Sequence, residues 1–313
     1  MRRWDLLVDR YLEEYEAAGR SLETRAAIRR ELGRCGWWLK GRRPRPRLED
    51  VGSDLLIEYL QHRGAFRSKS TLAAVMSQLR CWGEFLVREG VWSSNPLRWL
   101  RGPKLDSRSR VPRRISEQVL QAVLQTAATS RYGYHRWAWM TLLVVFYGTG
   151  ARRGEVSRLD LSDWDREEGL LLIDGRKTGR ERRVPVADLV RRCLEGYLPQ
   201  RHNLLESVGR IEEPALFVSK NGTRLSPHAI SHGMQSLAKR SGHEQVTLHQ
   251  FRHSCASDLL ENGVHIAEVQ KVLGHQRIET TVRYLHVADP QLHASVARHP
   301  INAMLSTATE GGC

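Results

Sequence analysis

Residues 247–253 read Thr-Leu-His-Gln-Phe-Arg-His, and they put His249 and Arg252 three positions apart. On a helix that spacing places both side chains on one face. Thr247 followed by Gln250 is a capping-box pattern, so a helix starts here and both side chains stand in its first turn. The start of a helix carries partial positive charge and unsatisfied N–H groups. Adding an arginine and a histidine there makes a site that attracts phosphate. Downstream, His275 directly follows Gly274, and Tyr284 stands nine residues further on, behind a threonine that can open a short helix. Core packing is the ordinary role of a tyrosine in such a place. Upstream, an apolar run ends in Gly148 and Gly150, and Arg152 follows at once. A charge beside an apolar helix needs a partner, and Glu155 supplies one if the segment is helical.

The whole chain is suited to phosphate. Its 313 residues hold 49 Lys and Arg against 35 Asp and Glu, a net charge of +14. A field of that sign favours a nucleic-acid partner. Most of the excess is arginine, whose fork grips phosphate with two parallel hydrogen bonds. Hydrophobic content of 41% and charged content of 27% fit a globular protein long enough for one large or two ordinary domains. No apolar run reaches eighteen residues, so no membrane contact is expected. The start, MRRWDLLVDRYLEEYE, reads as an amphipathic helix and not as a secretion signal. Cys35, Cys81, Cys193, Cys255 and Cys313 form no C-x-x-C pair, which argues against a zinc knuckle or a disulfide framework and for a reducing cytoplasm. No phosphate-binding G-x-x-x-x-G-K-[ST] sequence is present.

The elements that must position these residues divide the chain. Residues 1–100 read as helical, with helices near 22–40, 53–62 and 70–89, the last opened by Ser70 and stopped by Gly90. Trp37, Trp38, Trp82 and Trp92 are expected in a small helical core. Residues 101–114 are basic, contain two prolines and lack apolar periodicity, which marks a linker suited to crossing a DNA backbone. A second domain is expected over 115–289, followed by a tail over 290–313. It opens with a helix capped by Ser116 and continues with the apolar helix WAWMTLLVVFYGTG. LLLID and RRVPV, around GRKTGRE, predict a hairpin with a basic tip.

TGARRGE, KTGRERRVP, HQFRHS, LGH and the tyrosine nine residues later resemble, in order and spacing, the tyrosine recombinase (phage-integrase) family, above all its Xer-type and transposon-encoded members. SNPLRWLRGPK also resembles the family's linker entry. The likeness is close over 145–287 and looser elsewhere. It departs at Ala151, Ser254 and Cys255, where packing rather than chemistry is affected. The fold it implies is mainly α with a small antiparallel sheet: a helical, SAM-like core-binding domain and an α+β catalytic domain forming a C-shaped clamp on DNA. The catalytic positions it implies are Arg152, Lys177, His249, Arg252, His275 and Tyr284, with Glu155 as the acidic companion of Arg152. The T-G-x-R spacing selects Arg152 over Arg153, and His253 is expected to turn off the shared face. Arg101, Lys104, Arg108, Arg110, Arg113, Arg114 and Arg180 are the expected DNA contacts.

The chemistry the resemblance implies is attack by a tyrosine oxygen on a DNA phosphate, with no metal and no cofactor. The partners it implies are double-stranded DNA carrying a specific recombination site and further copies of the chain, a dimer per site and a tetramer on two sites. The tail is expected to dock either on its own subunit or on a neighbour. A cytoplasmic, nucleoid-associated location follows. Two readings compete: a type IB topoisomerase-like relaxing enzyme, and a non-catalytic DNA-binding accessory protein.

Overall fold

Apolar residues at helical spacing dictate most of the architecture. A computed structural model describes residues 2–65, 68–104, 114–131, 133–175, 181–275 and 277–282. The chain divides into two units, Met1–Arg110 and Val111–Cys313. No described helix is long and apolar enough to cross a membrane.

The first unit holds four helices: α1 (Arg2–Ala17), α2 (Leu22–Lys40), α3 (Ser53–Gly64) and α4 (Lys69–Arg88). Trp4, Tyr11, Trp82 and Phe85 bury their rings against one another, with centroids 5.0 to 5.4 Å apart. Trp38 and Trp92 are buried as expected, whereas Trp37 is 74% exposed. Its neighbour in sequence takes the inward face of α2. The cap of α4 is Ser68, whose Oγ accepts from the Thr71 N–H, so the helix starts ahead of the Ser70 cap read from the sequence. Inside this unit, Glu31 accepts from both Nε and Nη2 of Arg63 and from the Tyr59 hydroxyl, at 2.7 to 2.8 Å.

The second unit comprises α5 (Glu117–Ala128), α6 (Gly133–Thr149), α7 (Arg153–Arg158), β1 (Trp164–Asp165), β2 (Leu170–Ile173), β3 (Arg182–Pro185), α8 (Asp188–Ser207), α9 (Pro227–Arg240), α10 (Leu248–Glu261), α11 (Ile266–Leu273) and α12 (Glu279–Val282). Helix α6 is apolar nearly all round and runs through the core, packed by α5, α8 and α10. The three strands form an antiparallel sheet in the order β1-β2-β3, with Leu171 opposite Val184. Alternation along β2 and β3 turns Leu171, Ile173 and Val184 into the core. Strand β1, only two residues long, was not anticipated. Helix α12 starts at Glu279, ahead of the threonine expected to cap it.

Two glycines end helices at positions the site depends on. Gly150 follows α6 at φ +59°, and Gly274 follows α11 at φ +64°. Both conformations are costly for any residue with a Cβ. A Cβ at Gly150 would also overlap the Leu273 side chain. Gly150→Ala is therefore expected to destabilise the second unit by roughly 2–4 kcal/mol, from backbone strain plus overpacking. A urea titration of the full chain checks this through a lowered midpoint of that unit's transition.

Candidate active site

The site is assembled where the ends of α6 and α11 meet the start of α10. Gln250 Oε1 accepts from the Thr247 backbone N–H at 2.7 Å, fixing the first turn of α10 as the sequence pattern requires. This places Arg252 on the inward side, 3% exposed. Its Nη1 donates to the Gly150 carbonyl and its Nη2 to the Leu273 carbonyl, the latter at 2.7 Å. These carbonyls lie at helix ends, where intrahelical partners run out and the dipole is negative.

Arg152 is the N-cap of α7. Its backbone N–H and its Nη1 both reach Glu155, each at 2.8 Å. Glu155 is buried and accepts a further bond from Arg182 Nη2, at 2.8 Å. Burial alone would raise this carboxyl. The hydrogen bond and charge of Arg182, with the N–H and guanidinium of Arg152, hold it down at about 2. Arg153 is turned to Ser231 instead.

Three histidines complete the cluster. His249 lies at the exposed start of α10, and burial followed by the charges of Arg252 and Arg152 lowers its pKa. His253 is not turned away: its ring packs edge-on against that of His249, with centroids 4.2 Å apart. Burial, then His249 and Arg252, lowers it to about 4. His275 is buried after Gly274, and its Nδ1 lies 2.8 Å from Thr281 Oγ1. Burial, then Arg252, Arg152, Arg182 and His253, depress it to about 3. The arrangement presents permanent positive charge and neutral imidazoles to whatever anion enters.

A cavity of about 480 Å³ opens beside these groups, lined by Arg152, Arg153, Arg158, Thr247, His249 and Arg252 among others. Among the described residues, no cluster of three or more His, Cys, Asp and Glu is arranged to hold a metal ion. Lys177, Arg180, Tyr284, Arg108, Arg110 and Arg113 lie outside the described residues. Arg101 and Lys104 are exposed. Arg114 is exposed too, but it is ion-paired to Asp258 at 2.5 Å and to Glu261, both on α10. Next to it, the Ile115 N–H donates to Ser254 Oγ at 2.9 Å. Sequence reasoning gave no role to Arg182, the arginine that ends the K-x-G-x-x-R spacing from Lys177. Its signal was its register: it alternates with Val184 on the inward side of β3, where a charge needs a partner.

The family model of the phage integrase family matches residues 113–291. The chain belongs to that family and is a tyrosine-type site-specific DNA recombinase. It is 32% identical over 240 residues to a protein of Pseudomonas fluorescens named tyrosine recombinase XerC, a match spanning 77% of this chain and 76% of that protein. Among solved structures it shares its fold with the XerH site-specific recombinase bound to a palindromic difH substrate, at TM-score 0.70 and 20% identity over 92% of this chain and 83% of that one. A lambda integrase tetramer bound to a Holliday junction matches at TM-score 0.70 and 20% identity, over 90% of this chain and 76% of that one.

The depressed histidines have a measurable consequence in the DNA-free protein. Unfolded, His275 takes up a proton as pH falls below about 6.5; folded, it resists until about 3. Its neutral burial therefore contributes stability that is fully present above that unfolded value and is lost progressively as pH falls toward 3. Urea midpoints of wild type and His275→Gln, compared at pH 7 and pH 4.5, are expected to fall less in the variant.

Proposed function

We propose that this chain cuts and rejoins DNA through a 3′-phosphotyrosyl intermediate formed by Tyr284. The observation that carries the reading is the convergence of Arg152 at the start of α7, His249 and Arg252 on α10 and His275 after α11 into one electrostatic cluster beside a basic cavity. The pentacoordinate transition state gathers negative charge on the non-bridging oxygens. Arg152 and Arg252 offset it with permanently charged, forked donors, and His275 adds a hydrogen bond. The Tyr284 hydroxyl, with a reference pKa of about 10, is a weak nucleophile at neutral pH. His249, held uncharged by its surroundings, accepts its proton. The phenolate oxygen bonds to phosphorus, the bond to the 5′-oxygen breaks, and Lys177 protonates that leaving group. The phosphotyrosyl bond keeps the energy of the phosphodiester, so rejoining to another 5′-hydroxyl needs no nucleotide.

Strand exchange requires two duplexes and four such sites. We propose a dimer on each DNA site and a tetramer across two, passing through a Holliday junction; sharing a fold with a lambda integrase tetramer supports this. Residues 1–100 and 115–289 would both contact the duplex, joined by the basic strap 101–114, while the tail 290–313 would dock on its own or a neighbouring subunit. Arg101, Lys104, Arg108, Arg110, Arg113 and Arg180 are the proposed phosphate contacts. The ion pairs of Arg114 make it a tether of α10 first. Two uses of the chemistry stand: integration or excision of a mobile element, and Xer-type resolution of chromosome or plasmid dimers. The identity with a XerC favours the second.

A nicked suicide substrate carrying the recombination site, resolved on a denaturing gel, tests the reading. Wild type is expected to form an SDS-stable DNA adduct and Tyr284→Phe none; identical behaviour of the two overturns it. In the same assay Lys177→Ala should slow cleavage by about 100-fold or more, within the range of a lost general acid. A substrate with sulfur in place of the 5′-bridging oxygen should restore most of that rate, because a thiolate leaves without a proton. Equal slowing on both substrates removes Lys177 from the role of proton donor.

A further inference from the structure

We infer that Arg182 is a positioning residue of this site, setting Arg152 and the loop that carries His275 in register with each other. The inference rests on the recombinase reading above. Arg182 opens β3, and its side chain is only 8% exposed. Nη2 donates to Glu155 Oε2 at 2.8 Å, and Glu155 in turn holds the N–H and guanidinium of Arg152. Nε donates to the Val272 carbonyl at 2.7 Å, three residues before His275. A Cβ at Gly274 would lie 2.8 Å from Arg182 Nη1, so the guanidinium packs directly on the backbone that turns into His275. One side chain thus touches the brace of Arg152 and the last turn before His275. It does so from β3, five residues after Lys177 in the sequence.

The energetics argue against a purely structural tie. Burying a guanidinium is costly, and a well-packed apolar pair often serves stability as well or better. Arg182 also leaves Nη1 buried without a hydrogen bond among the described residues, a further penalty. A chain selected only to fasten β3 to α11 gains nothing from a full charge with a spare donor. A site that must hold an arginine and a histidine at fixed separation around a phosphate gains both rigidity and positive potential. The charge of Arg182 already reaches His275 and contributes to its depressed pKa.

The test measures single-turnover cleavage of the nicked substrate at saturating DNA, alongside DNA affinity and the melting temperature of each variant. Arg182→Met is expected to slow cleavage by about 100-fold, the scale of an ångström-level misplacement of catalytic groups. DNA affinity should stay within about threefold, because the buried side chain neutralises no phosphate at the surface. Adding Glu155→Gln to Arg182→Met should cost little further rate, since both changes break the same chain of contacts. Arg182→Lys keeps the charge but cannot reach both partners, and should fall between wild type and Arg182→Met; it decides the matter if Arg182→Met does not fold. A cleavage rate for folded Arg182→Met or Arg182→Lys equal to wild type, with only the melting temperature lowered, reduces Arg182 to a structural tie. Multiplicative losses with Glu155→Gln also overturn the inference. Wild type and Tyr284→Phe on the same gel report separately on the parent reading: no wild-type adduct defeats that reading, whereas a normal adduct with an unaffected Arg182 variant defeats only this one.

Discussion

The site depends on how one buried guanidinium is satisfied. Arg252 is enclosed, and it binds the Gly150 carbonyl with one nitrogen and the Leu273 carbonyl with another. Both carbonyls stand where a helix runs out of internal partners and its dipole is negative. The same contacts therefore offset the burial of a charge and fix the spacing of two helix ends. One carbonyl belongs to a left-handed glycine, Gly150, and the other directly precedes one, Gly274. Arg152 follows two residues after Gly150, and His275 two residues after Leu273. The spacing of Arg152 and His275 is thus held in part by a third group that belongs to neither segment.

Gathering arginines close together, two of them buried, raises a second constraint. Arg152, Arg182 and Arg252 repel one another, and Glu155 compensates by remaining ionised far below the usual carboxylate range. The histidines respond in the opposite sense: each gives up protonation. The positive charge of the cluster at neutral pH therefore rests on its arginines. An arriving phosphate shifts this balance, since an opposite charge favours the protonated imidazole.

Much of this was legible in sequence because it is local. The capping box at Thr247, the glycine stops and the apolar run of α6 each act within a few residues, and the structure forms α10, α11 and α6 where they indicate. The hairpin strands were legible from aliphatic runs on either side of a basic turn. What escaped was decided by contacts between distant segments or by fine choices of phase. Trp37 and Trp38 differ only in which of them points inward. Ser68 and Ser70 are both able to cap, and the core contacts of α4 choose the first. Nothing in a two-residue strand such as β1 departs from a turn. His253 meets His249 because four residues make one helical turn, a relation that outweighs its offset from Arg252.

Arg182 shows where a stricter reading of the same sequence leads further. RERRVP contains three arginines, and charge alone cannot rank them. Strand alternation can, because Val184 must face the core, so Arg182 shares its side and Arg183 faces out. An inward arginine on a short strand is tolerable only with a carboxylate to meet it. The carboxylate within the sheet, Asp165, is exposed, so the partner comes from another element: the acidic residue beside Arg152. In the structure Arg182 meets that carboxylate, which links β3 to Glu155. The link is built from charge: apolar contacts would fasten the strand equally well, but they would leave Glu155, the brace of Arg152, buried with one fewer partner.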